Sequence, residues 1–117
     1  MESDSLLRPP LSMARAGGAH LDEPLKVRAH VYVAGRVQGI FFRSETQDEA
    51  AKQDVTGWIR NRPDGRVEAV FEGEKDRVDR LVEFCRRGPR GVRVRNVEIF
   101  WEDCKGEFRD FRIRYGY

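Results

Sequence analysis

The segment Gly35-Arg36-Val37-Gln38-Gly39-Ile40-Phe41-Phe42-Arg43 sets two glycines and a closing arginine directly after a run of alternating apolar residues. Glycine reaches backbone conformations closed to other residues. A loop built on it can therefore turn several N–H groups inward around an anion. A helix beginning just beyond would add free first-turn N–H groups and the positive end of its dipole. A guanidinium supplies a planar fork that matches two phosphate oxygens. Together these parts specify phosphate better than any one of them. The same residues would also make an ordinary strand-to-helix turn with a surface arginine.

A second constellation runs Gly57-Trp58-Ile59-Arg60-Asn61-Arg62-Pro63-Asp64-Gly65-Arg66-Val67. In a strand, period two places Ile59 and Asn61 on one face and Trp58 and Arg60 on the other. At a strand end, Asn61 is either a turn former capping its own backbone or an amide that orients a water by accepting one hydrogen bond and donating another.

The elements that must hold these residues are legible from Lys26 onward. Val27, Ala29, Val31 and Val33 alternate with Arg28, His30 and Tyr32, which reads as a half-buried strand. Ser44 and Gln47 form a Ser-x-x-Gln capping box, which places a helix start at Ser44, directly after Arg43, with an end near Asp54. Its apolar stripe is thin. Val55 to Asn61 reads as a second strand, and Pro63-Asp64-Gly65 as a tight turn. The alternation of Val67, Ala69 and Phe71 then completes a hairpin. From Glu74 to Arg87, the apolar residues Val78, Leu81, Val82 and Cys85 fall at helical spacing. Glu74 and Asp76 in the first turn and Arg86 and Arg87 in the last complement the helix dipole. Val92 to Trp101 reads as a strand whose apolar phase slips near Asn96, the mark of a bulge. Phe111, Ile113 and Tyr115 alternate in a last strand. The order predicts an α+β, ferredoxin-like βαββαβ sandwich, with two helices on one face of an antiparallel sheet and a closing C-terminal strand. Residues 1–24, interrupted by Pro9-Pro10, Gly17-Gly18 and Pro24, are expected to be a flexible arm, with the folded domain spanning 25–117.

Composition narrows the function classes. Charged residues make up 36% and hydrophobic ones 39% of the 117 residues, a balance suited to one globular domain with a highly charged surface. The formal net charge of +2 supplies no global field for nucleic acid. No apolar run approaches the ~18 residues of a membrane span. The two cysteines, Cys85 and Cys104, cannot build a disulfide framework or a four-cysteine zinc site. Cys85 also falls on the apolar stripe of its helix and lacks an arginine at the spacing a cysteine phosphatase needs. The expectation is a cytoplasmic monomer with no cofactor, no nucleic-acid partner and no membrane partner.

With both motifs in place, the sequence closely resembles the acylphosphatase family. The first family signature, aliphatic-x-Gly-x-Val-Gln-Gly-Val-x-Phe-Arg, is met by Val33 to Arg43 with Ile40 as its one departure. The second, which begins Gly-aromatic-small-x-Asn, is met by Gly57, Trp58 and Asn61, followed by Gly65, Val67 and Gly73, with Ile59 slightly larger than the small residue of the pattern. The resemblance covers about Lys26 to Tyr117 and implies hydrolysis of the carboxyl–phosphate bond of acyl phosphates without a metal. It assigns phosphate binding to Arg43 together with the amides of Gln38, Gly39, Ile40, Phe41 and Phe42, and places the attacking water on Asn61. Free phosphate or sulfate is expected to occupy the same loop. The alternative is a ferredoxin-like module that binds phosphate without turning substrate over.

Overall fold

The computed structural model describes residues 25–116. The expected arm over residues 1–24 lies outside them. The chain forms β1 (Lys26–Arg36), α1 (Ile40–Gln53), β2 (Thr56–Asn61), β3 (Val67–Glu74), α2 (Lys75–Arg87), β4 (Arg93–Asp103) and β5 (Phe111–Arg114). One five-stranded sheet runs in the order β4-β1-β3-β2-β5. The core lies between the sheet and the two helices. It gathers Ala29, Val31 and Val33 from β1, Ile59 from β2, Val67, Ala69 and Phe71 from β3, and Phe111 from β5. Phe42 and Ala50 of α1 and Val78, Leu81, Val82 and Cys85 of α2 close it from above. Burying a side chain the size of Phe42 or Leu81 contributes roughly 1.5–3 kcal/mol. This layer is therefore what fixes the helices over the sheet.

The α2 stripe is buried as its spacing predicts. Burial raises the Cys85 thiol to about 12, so this cysteine is packing and holds no thiolate. It and Cys104 are both free. The thin stripe of α1 reduces to Phe42, Thr46 and Ala50, and the buried Thr46 hydroxyl donates to the Phe42 carbonyl at 2.8 Å.

Two expectations need correction. Helix α1 begins at Ile40, four residues before the predicted start at Ser44, with Gly39 as its N-cap and no side chain capping it. Gln47 is not part of a capping box. Its amide donates to the Phe111 carbonyl at 3.0 Å and ties α1 to β5. The sheet is also not wholly antiparallel. The pairs β1–β3, β1–β4 and β2–β3 are antiparallel, but β5 runs parallel to β2. The reason lies in the connection. β4 ends at Asp103 opposite Val27, at the same end of the sheet where Phe111 starts beside Gly57. The intervening segment crosses that end and is fastened to the buried Glu72 carboxylate, which accepts from the amides of Lys105 at 2.8 Å and Gly106 at 3.1 Å. The chain then enters the far edge in the direction of β2.

The bulge is present. Ala34 faces Asn96 while Gly35 faces Val94, so Arg95 is the extra residue of β4. A Cβ on Gly35 would stand 2.2 Å from the Arg93 carbonyl oxygen and 2.8 Å from the Arg95 nitrogen, so only glycine fits against the bulged strand.

Candidate functional site

The strand register brings the two sequence constellations to one end of the sheet. Asn61 pairs with Val67, and Val67 pairs with Val33, two residues before Gly35. Arg60 pairs with Arg114 in the parallel ladder. One step further along that register, Tyr115 comes level with Asn61. The loop after β1, the end of β2, the β2–β3 turn and the chain after β5 therefore share this end.

Gly39 sets the loop's exit. Its φ of 134° and ψ of 161° belong to a region that is essentially restricted to glycine. This turn lets the chain pass from β1 directly into α1 with no residue spent on a side-chain cap. The first-turn N–H groups of α1 are thus left to whatever anion approaches, and no acidic residue occupies that turn to repel one. Gln38 and Gly39 are exposed, as is Phe41, whereas Phe42 is in the core. Phe42 thus serves by anchoring the helix, and what it and the exposed Phe41 can offer an anion is their backbone N–H groups.

Arg43 occupies the first turn of α1 rather than the preceding loop. Long helical side chains lean toward the N-terminus, and its Nε donates weakly back to the Gly39 carbonyl at 3.4 Å. The residue is only 8% exposed. Its guanidinium carbon lies 5.1 Å from the centroid of the Tyr115 ring. Among the described residues, no carboxylate lies within ion-pair distance of it. Buried charges are normally paired, so a nearly buried arginine with no carboxylate in reach is suited to an anionic ligand.

Asn61 lies on the same sheet face as the buried Ile59, toward the helices, as period two predicts. Its Oδ1 is buried and accepts no hydrogen bond among the described residues. The turn that follows is closed by other groups. The Arg62 amide donates to the Arg66 carbonyl at 2.8 Å and the Gly65 amide to the Arg62 carbonyl at 3.2 Å. Asp64 accepts from the side chain of Arg66 at 2.9 Å, from its backbone amide at 3.0 Å, and from Arg62 Nε at 3.1 Å. Those bonds hold its carboxyl well below the usual carboxylate range. Asn61 is therefore not needed as a turn former, and its amide is left over for another partner.

Tyr115 is the residue that sequence reasoning missed. Its place in the alternation with Phe111 and Ile113 was legible, but its contact with Arg43 depends on the parallel placement of β5. A hollow of about 540 Å³ lined by Trp58, Phe108, Arg109, Arg112 and Arg114, among others, includes neither Arg43 nor Asn61. Among the described residues, no group of three or more His, Cys, Asp or Glu side chains is arranged to hold a metal ion, and no helix is long and apolar enough to cross a membrane.

The fold and this sheet end together define an α+β sandwich of ferredoxin-like topology, with a helix N-terminus that no side chain caps and, at its rim, an arginine without a carboxylate partner among the described residues. The sequence profile of the acylphosphatase family matches residues 29–113. The chain is 53% identical over 90 residues to an acylphosphatase of Pelotomaculum thermopropionicum, covering 77% of this chain and 98% of that one. It is 57% identical over 88 residues to an acylphosphatase of Pyrobaculum calidifontis, covering 74% and 80%. The structure of an acylphosphatase from Coxiella burnetii superposes with a TM-score of 0.73 at 34% identity, over 80% of this chain and 100% of that one. The chain belongs to the acylphosphatase family.

Proposed function

We propose that this protein hydrolyses the carboxyl–phosphate bond of acyl phosphates, giving a carboxylate and inorganic phosphate. The observation that carries the reading is the pairing, at one sheet end, of a nearly buried arginine and an asparagine with a buried Oδ1, neither of which meets a carboxylate or a hydrogen-bond donor, respectively, among the described residues. The first lacks a negative charge and the second lacks a donor. A phosphoryl group and a water supply one each.

In this reading, the N–H groups of Gln38, Gly39, Ile40, Phe41, Phe42 and Arg43 and the Arg43 guanidinium hold the phosphoryl oxygens. They stabilise the charge that spreads over those oxygens in the transition state. Asn61 accepts a hydrogen bond from the attacking water and so aims its oxygen at phosphorus. The new bond joins water oxygen to phosphorus. The bond to the acyl oxygen breaks, and its electron pair leaves with the carboxylate. A carboxylate departs without protonation, so no general acid is needed. The proton lost by water is taken up by a phosphoryl oxygen.

The partner is a free small-molecule acyl phosphate, and inorganic phosphate or sulfate competes for the same loop. On the open sheet face Arg28 is engaged with Glu72, Glu102 and Glu107, Arg60 and Arg62 with Glu68, Arg66 with Asp64 and Glu98, and Arg112 with Asp110, while Arg114 stacks on Trp58. This pairing supports the reading of a face that does not recruit nucleic acid. A reducing, cytoplasmic setting fits the two free cysteines, and the protein is read as a monomer.

The test is hydrolysis of benzoyl phosphate in the presence of EDTA, comparing wild type with Arg43→Ala and Asn61→Ala. Turnover well above the spontaneous rate in wild type, with a loss of at least about 10²-fold in each variant, is the expected result. A wild type that binds phosphate without turnover would leave only a binding module. EDTA-sensitive turnover would overturn the mechanism.

A further inference from the structure

The two halves of the proposed site come from chain segments separated by the whole of α1. Their relative placement must be held by something more specific than the core. The Gln38 side chain makes that connection. Its Nε2 donates to the Arg62 carbonyl at 2.7 Å and to the Arg66 carbonyl at 3.0 Å, using both hydrogens of one amide. Gln38 immediately precedes Gly39, the N-cap of the helix that carries Arg43. Arg62 immediately follows Asn61.

The two carbonyls do not need Gln38 to be satisfied. Arg66 already accepts from the Arg62 amide, and Arg62 from the Gly65 amide. The turn is also bound internally through Asp64. What the Gln38 amide adds is a bridge from a turn that is already closed to the phosphate loop. A bidentate bridge fixes direction as well as distance. It is exposed, where a hydrogen bond adds little to global stability because water replaces it readily.

We propose that Gln38 is a positioning residue of this enzyme. Its side chain fastens the Asn61 end of β2 to the phosphate loop, so that the water held by Asn61 stays aimed at the phosphorus held by that loop. This role is separate from the expected contact of the Gln38 backbone amide with phosphate, and it rests on the reading of Asn61 given above.

A misplacement of about 1 Å between reacting groups can cost on the order of 10²-fold in rate, so loosening this bridge should act on kcat and spare phosphate binding. The experiment measures kcat and KM for benzoyl phosphate and the inhibition constant of inorganic phosphate. It compares wild type, Gln38→Met, Asn61→Ala and the double variant. Methionine keeps the length of the side chain and donates nothing. Gln38→Ala is carried in parallel, so that a Met variant that fails to fold does not end the comparison, and urea midpoints identify such a failure.

The expected result is a kcat about tenfold lower in Gln38→Met, with phosphate inhibition within about twofold of wild type. In the Asn61→Ala background the same substitution should change kcat by less than about twofold, because the group it positions is gone. Wild-type kcat in Gln38→Met overturns the proposal. So does a loss that persists undiminished in Asn61→Ala, or a phosphate inhibition constant that worsens in step with kcat. If wild type shows no turnover, or Asn61→Ala keeps full activity, the proposed function or its mechanism fails first and the role of Gln38 falls with it. Failure of the bridge alone leaves both of those results intact.

Discussion

The Tyr115 ring lies over the guanidinium of Arg43, with the guanidinium carbon 5.1 Å from the ring centroid. The arginine is nearly buried and the tyrosine is 72% exposed, so the ring is a cover laid on one face of the cation rather than a core residue. The contact joins the first turn of α1 to the chain leaving β5, and Gln47 ties the same two elements through the Phe111 carbonyl. Arg43 is thereby held from its two sides, by its own helix and by the edge of the sheet. An exposed cation–π contact contributes roughly 0.5–1 kcal/mol. Tyr115→Ala should therefore weaken phosphate inhibition and raise KM about two- to fivefold, while Tyr115→Phe keeps the stacking and stays near wild type. Equal losses in both variants would show that the hydroxyl, and not the ring, is what matters. Steady-state kinetics with benzoyl phosphate separates the two.

Arg43 itself should separate stability from activity. Without an anion, its charge has no ion-pair partner among the described residues, and its one side-chain hydrogen bond is long. Arg43→Met should leave the thermal midpoint in phosphate-free buffer unchanged or raise it, since an uncompensated charge is removed from a nearly buried site. Phosphate at about 100 times its Kd should stabilise wild type by about 2.7 kcal/mol and leave the variant unmoved. Arg43→Lys should still lose at least about 10²-fold in turnover, because an ammonium cannot present the planar fork. Thermal melts with and without phosphate check the first two statements. A variant that phosphate still stabilises would place the anion elsewhere.

The parts of this site that were legible in the sequence are those set by local rules. Gly35 and Gly39 announced unusual backbone, the Pro63-Asp64-Gly65 turn ended the strand carrying Asn61, and the α2 stripe gave its buried face residue by residue. The start of α1 was misread because Ser44 and Gln47 satisfy the pattern of a capping box. The helix instead begins four residues earlier, on a glycine with no capping side chain, and Gln47 is used for a tertiary bond. A helix entered through this glycine conformation leaves no capping side chain to read. The parallel setting of β5, and with it the Arg43–Tyr115 contact, depends on how the segment after β4 crosses over Glu72. No periodicity encodes that path.

Gly39→Ala isolates the backbone contribution to the loop. A Cβ at this position would meet nothing within 4 Å, so any effect is conformational and not steric. At φ 134° and ψ 161°, a non-glycine residue costs on the order of 1–3 kcal/mol. If the loop keeps its shape, stability falls by that amount. If the loop relaxes, the first-turn amides lose their aim. Either way, phosphate inhibition should weaken by more than about tenfold or the urea midpoint should fall measurably. Wild-type values of both would mean that the glycine conformation is dispensable.

The open sheet face should control the acid limb of stability. Glu68 is buried there, and burial alone would raise its carboxyl. Hydrogen bonds from His30 Nε2 at 2.7 Å, Arg60 Nε at 2.9 Å and Arg62 Nη1 at 3.2 Å more than offset that and hold it below its ordinary value of 4.5. A carboxyl whose folded-state value is depressed binds its proton less tightly in the folded protein than in the unfolded chain. Its contribution is therefore complete above 4.5 and is lost as pH falls below that value. Glu68→Gln removes the charge while keeping the shape. It should cost about 1–2 kcal/mol near neutral pH, since hydrogen bonds to a charged acceptor become neutral ones. The variant should also lose less stability than wild type between about pH 5 and about pH 3, where the wild-type carboxylate takes up its proton. Urea midpoints measured across that range give two curves that converge toward acid. Curves that run parallel throughout would mean that other carboxylates set the acid limb.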